Sequence, residues 1–134
     1  PFAYCAAVGT IDEPDDRYTG VEFPQSVLDG LVAAMGQPLI SPSVPWRCVS
    51  GHVRGCFVGA NLPCGRIDTN REPTTPLSDY CFANPDTDFI PAYVTGHATL
   101  YEWHCTGIAA IAGAEIIALD ARGFAADWWY LLSP

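Results

Sequence analysis

The sequence predicts an α+β fold: an antiparallel sheet of about five short strands with two helices, stabilised by disulfides. Three observations predict it. Six cysteines, an even number, fall in a chain of only 134 residues, which suits a fold stapled by three bridges in an oxidising compartment. Twelve Pro and twelve Gly divide the chain into many short elements. One stretch carries a helical stripe, a second carries helix start and stop signals, and five carry strand-like patterning. The length suits a single domain over 1–134. An apolar fraction of 49% and a mean hydropathy of +0.14 indicate a packed core, not a disordered chain.

The elements follow in order. Residues 1–20 read as an ordered but irregular arm, because "TIDEPDDRYTG" is acidic and rich in turn formers. Pro24 suits a first helical turn and Gly36 the residue past the end. Between them Val27, Leu28, Leu31, Val32 and Met35 form one apolar stripe, while Ser26 and Asp29 face away. "QPLISPSVP" is then an extended connector. Trp46 to Val49 and Val53 to Val58 are two strands joined at Ser50-Gly51, a hairpin signal. The chain loops from Gly59 to Pro73. Pro76 starts a second helix, "PLSDYCFAN", with Thr75 as a candidate cap and Pro85 as a stop. Thr99 to Cys105, Ile111 to Leu119 and Phe124 to Leu132 are expected as a three-stranded meander, with "DARG" as the second turn. Alanines between Ile108 and Leu119 leave a helical alternative open there.

"WRCVSG" at Trp46 and "WHCTG" at Trp103 echo each other. Each places Trp and Cys on one strand face before a turn. Coincidence between two strand ends is favoured over a duplicated hairpin.

Cysteine spacing bears on chemistry. The gaps between successive cysteines are 43, 8, 8, 17 and 24 residues, so the short knuckles of structural zinc sites and redox pairs do not occur. Cys64 is expected to pair with Cys81, since the sixteen residues between them, mostly polar and proline-containing, need tying down. Among Cys5, Cys48, Cys56 and Cys105 the pairing stays open, with Cys48 to Cys105 favoured by the shared Trp-x-Cys pattern. Cys48 and Cys56 are not expected to pair, because a two-residue turn puts them on opposite faces. No cofactor is expected. His52, His97 and His104 lack a third ligand at a readable spacing. The acidic run Asp12, Glu13, Asp15 and Asp16 offers four carboxylates, but its spacing is not that of an EF-hand loop and Pro14 limits their convergence on a calcium ion. No nucleophile elbow occurs. Glu102, Glu115 and Asp127 could share a sheet face, as a carboxylate-dependent hydrolase would need.

Fifteen acidic residues against six Arg and no Lys give a net charge of −9. That balance disfavours nucleic acid, which is bound through clustered cations. No apolar run reaches the ~20 residues that span a bilayer. Trp128, Trp129, Trp103 and Tyr101 lie on expected strands and are the candidate binding residues, since Trp and Tyr are enriched in binding hot spots. Adjacent Trp128 and Trp129 should face opposite sides, one of them towards a partner.

The motifs "WRC", "GANLPC", "YCFANP", "TGHATLYEWHC" and "DARGF", in this order, resemble a group of small exported bacterial proteins of uncharacterised function. The likeness covers roughly residues 45–130. It implies export and disulfides, and no activity. No signal peptide precedes Pro1, so the chain reads as a mature form. The expected protein is a non-catalytic exported accessory or binding protein, periplasmic or extracellular, acting with a protein partner or by self-association. The alternatives are a self-assembling filament subunit, an inhibitor of a basic hydrolase, and a small secreted hydrolase.

Overall fold

Pro24 and Gly36 bracket a helix as their chemistry requires. In the computed structural model, which describes residues 1–57, 59 and 61–134, Pro24 is the extended cap, and Gly36 ends the helix at φ 72°, donating its N–H to Val32. Only glycine adopts that left-handed geometry freely. The elements in chain order are α1 (Phe2–Val8), α2 (Gln25–Met35), β1 (Trp46–Val49), β2 (His52–Cys56), α3 (Thr75–Ala83), α4 (Ala92–Thr95), β3 (Tyr101–Thr106), β4 (Ala109–Glu115), a 3-10 turn (Ala126–Trp128) and β5 (Trp129–Leu131). The class is α+β with antiparallel sheets of five strands in total, and four helices among the described residues. The chain forms two compact units, Pro1–Cys64 with Asp127–Pro134, and Gly65–Ala126.

In the first unit β1, β2 and β5 form one antiparallel sheet in that order. Ser50 and Gly51 both have positive φ, 50° and 81°, the signature of a type I′ turn that matches strand twist. That turn sets the register Cys48↔Val53 and Val49↔His52. Trp46, Cys48 and Val53 share a sheet face and join Val27, Leu31, Val44, Leu132 and Cys5 in one buried cluster. Burying each large aliphatic of this kind contributes roughly 1.5–3 kcal/mol. The packing is close: a Cβ on Gly55 would meet the Leu132 side chain at 2.9 Å, and one on Gly30 of α2 would meet it at 3.3 Å. Val58, the expected end of the second strand, lies outside the described residues.

Two expectations about this unit are corrected. Residues 1–20 are not irregular throughout, because Phe2–Val8 is helical. "FAYCAAV" contains no Gly or Pro, and Cys5 anchors it to β1 through the Cys5–Cys48 disulfide. Its edge segment also pairs, Ile11 bridging antiparallel to Cys48. The meander is corrected as well. β5 is only three residues long and pairs with β2, with Gly55↔Tyr130 in register. Alternating patterning reports which faces a strand buries, not which neighbour it takes.

In the second unit β3 and β4 form a hairpin. The strand alternates as expected, with Tyr101, Trp103 and Cys105 buried. The turn is Gly107-Ile108, with Gly107 at φ 59°, as a II′ turn requires. The helical alternative for Ile108–Leu119 is not taken. A bulge lies between the pairs Tyr101↔Glu115 and Trp103↔Ala112. Gly113 permits it, since a Cβ there would come within 2.9 Å of the Glu102 carbonyl. The expected "DARG" turn forms: Asp120 Oδ1 accepts from Arg122 N and Phe124 N. The chain returns only as far as a Leu119↔Ala125 bridge before the 3-10 turn.

α3 is capped by Thr74, one residue before the expected Thr75; its Oγ1 accepts from Leu77 N at 3.4 Å. The remaining bridges are Cys56–Cys64 and Cys81–Cys105. All six cysteines are paired, but the expected Cys64–Cys81 bridge and the favoured Cys48–Cys105 bridge are both incorrect. The loop after Cys64 is held by backbone instead, Asp68 N donating to Ala98 O and Leu100 N to Asp68 O. The face argument holds for Cys48 and Cys56, which do not pair.

Candidate protein-docking surface

Three of the four aromatic candidates are interior. Tyr101, Trp103 and Trp129 are buried. Trp103 Nε1 donates to Thr99 Oγ1 at 3.0 Å. The Arg71 guanidinium lies 4.6 Å from the Tyr101 ring centroid, and that of Arg47 lies 4.7 Å from the Trp129 centroid. These rings therefore hold their own units together. Trp128 alone is half-buried, its ring 6.4 Å from Phe57. It sits in the 3-10 turn, not on a strand, so the expected strand alternation does not govern it.

In register, Glu115 on β4 lies opposite Tyr101 on β3. Asp127 lies in the 3-10 turn, while Glu102 and Glu115 are on β3 and β4. Among the described residues no group of three or more His, Cys, Asp or Glu could hold a metal ion. In the acidic arm Asp15 is already engaged. Arg17 clasps it through Nε and Nη2, and Tyr4 Oη donates to it at 3.1 Å. The Arg17 hydrogen bonds hold the Asp15 carboxyl down at about 2, from an ordinary 3.8.

This clasp borders a cleft of about 590 Å3, lined in part by Tyr4, Val8, Arg17, Tyr18 and Thr19. Tyr4, Tyr18 and Trp46 meet edge to face beside it, with Tyr18 and Trp46 centroids 4.8 Å apart. Burial raises the Tyr18 hydroxyl above its ordinary value. A carboxylate held ionised against a guanidinium is unsuited to general acid work at neutral pH. Because the folded pKa is depressed, the clasp stabilises the fold fully above pH 3.8 and loses that effect as pH falls through about 2. Asp15→Asn is therefore expected to flatten the stability profile across that window. A carboxyl titration by NMR checks it; a midpoint near 3.8 would show that the clasp does not form in solution.

The sequence did point to self-association through strand edges and aromatics. It did not locate the apolar side chains that the second unit leaves uncovered. Tyr93 on α4 is 85% exposed and Phe82 on α3 is 73% exposed. Phe89, Ile108, Ile111 and Ile116 are also exposed. Scattered single apolar residues need no explanation, whereas large apolar side chains that adjoin one another mark interaction sites. On the hairpin the signal was readable: "GIAAIAGA" carries no charge over residues 107–114.

No protein-family model, curated protein or solved structure matches the chain. Fold and surface define the class: a small, disulfide-stapled α+β protein with an acidic exterior and uncovered apolar side chains. No helix among the described residues is long and apolar enough to cross a membrane.

Proposed function

We propose that this is an exported, non-catalytic accessory or binding protein, a subunit or partner of a larger assembly in the periplasm or outside the cell. The observation that carries the reading is the set of large apolar side chains exposed on the second unit, led by Tyr93 and Phe82. Supporting it, three disulfides suit an oxidising compartment. The motif resemblance to small exported bacterial proteins points the same way.

The test is the protein isolated natively and without reductant from its own source. It is expected to elute above the 14.4 kDa of one chain, as a stoichiometric assembly. Replacing Tyr93 and Phe82 by Glu should release the chain from that assembly while leaving its circular dichroism unchanged. A lone chain that hydrolyses a substrate, and loses this on Glu102→Gln or Glu115→Gln, would overturn the reading.

A further inference from the structure

We propose that the outer edge of β4 joins a second copy of this chain, antiparallel and about a two-fold axis, with Ile111 opposite its own counterpart. This rests on the binding reading above and names one partner for it.

The direction of each backbone group on β4 follows from the turn. Gly107-Ile108 is a two-residue turn closed by the pair Thr106↔Ala109, so that pair exchanges hydrogen bonds and the next does not. His104↔Ile111 bonds again. Cys105↔Ala110 and Trp103↔Ala112 then aim their backbone groups outward, away from the hairpin. The β3 side shows it: Cys105 N donates to Thr87 O, and Ile90 N to Trp103 O, each at 2.8 Å. On the β4 side Arg71 Nη2 donates to Ala112 O at 3.1 Å. The outer edge of β3 is thus covered by its own chain, and Ile11 likewise covers β1. Among the described residues no strand pairs with the outer edge of β4. The Arg71 guanidinium occupies one acceptor position there, and a carbonyl has two. Charged side chains at such edges restrain uncontrolled pairing.

The edge is complementary to itself. With Ile111 at the axis, Ala110 of one copy meets Ala112 of the other, twice, through outward N–H and C=O groups. On the exposed face Ile111 meets Ile111, and Ala109 meets Gly113. The half-exposed Ile111 ring of contacts is then closed by an identical side chain, an apolar cross-strand pair of the stabilising kind. The first charge, Glu115, falls opposite Gly107. A parallel arrangement would instead stack Glu115 on Glu115. The antiparallel one is the pairing in which no like charges oppose within the strand. The net charge of −9 on each copy still repels at longer range, and salt screens that repulsion. Association should therefore strengthen with salt, whereas a cationic partner would bind more weakly.

The experiment is sedimentation equilibrium on the pure, oxidised chain, from micromolar to millimolar concentration at low and high salt. The expected result is a reversible dimer of twice 14.4 kDa, tighter at high salt. Amide exchange should slow with concentration at Ala110 and Ala112, and stay unchanged at Ile111, which is already bonded to His104. Ile111→Lys, which opposes two cations at the axis, should weaken the dimer by about tenfold or more. A monomer at every concentration, concentration-dependent protection at other amides only, or a dimer indifferent to Ile111→Lys would each overturn the proposal. Should the pure chain stay monomeric while the native protein elutes with a different protein, this inference fails and the binding reading stands. A lone, catalytically active chain from the native source defeats the binding reading by itself.

Discussion

Replacing both Cys5 and Cys48 by Ala is expected to cost about 4 kcal/mol of stability, the largest loss from removing any one bridge. The pair spans 43 residues, and the loop entropy released to the unfolded chain grows with the logarithm of that span. The same relation gives about 3.5 kcal/mol for Cys81–Cys105, separated by 24 residues, and about 2.5 kcal/mol for Cys56–Cys64, separated by eight. Both sulfurs of the long bridge are fully buried beside Val27 and Leu31, so truncation also leaves a void. The bridge has a second role. It fastens α1, seven residues long, to β1, and a helix that short has almost no stability alone. Thermal unfolding without reductant should show the midpoint falling by roughly 15 °C. A smaller loss than for the Cys56–Cys64 double replacement would show that strain or residual structure, not loop entropy, decides the order.

How much of this was legible depends on how local the signal is. α2 was readable because Pro24, Gly36 and the stripe through Val27 and Leu31 agree within thirteen residues. The β1–β2 hairpin was readable because Ser50-Gly51 tolerates positive φ between two strand patterns. β3 was readable from the alternation of Tyr101, Trp103 and Cys105. What failed was non-local. The partner of β5 is chosen by packing, and three residues carry no label for it. Disulfide connectivity is likewise set by where chain segments meet, so Cys64 took the local Cys56 and not Cys81. The candidate surface divides the same way. An uncharged run from Gly107 to Ala114 is visible in the sequence, but the direction of each amide needed the register. Trp103 and Trp129 looked like ligand-facing rings and proved to be core, because both β3 and β5 bury the face that carries them.

Arg47 is the residue that the strand pattern most misleads. It alternates with Trp46 and Cys48, so the period of two assigns it to solvent, yet it is 1% exposed. Its guanidinium stacks on Trp129 at 4.7 Å, and its Nη1 lies 4.0 Å from Asp12 Oδ1. Three substitutions separate its volume from its charge. Arg47→Ala removes the stem and the stacking together and should cost about 3–4 kcal/mol, as for a large core side chain. Arg47→Met keeps most of the volume and removes the need to bury a charge, so it should cost less than about 1 kcal/mol. Asp12→Ala keeps the buried cation and takes away the nearest carboxylate. Breaking a fully buried pair typically costs about 3–5 kcal/mol. Asp12 keeps 18% side-chain exposure, and the long separation weakens the pair further, so about 2 kcal/mol is expected. The order is therefore Arg47→Ala, then Asp12→Ala, then Arg47→Met, read from urea unfolding of the oxidised chain. If Arg47→Met proves as costly as Arg47→Ala, the guanidinium itself stabilises this sheet, through its charge and its stacking on Trp129, and filling the space is not enough.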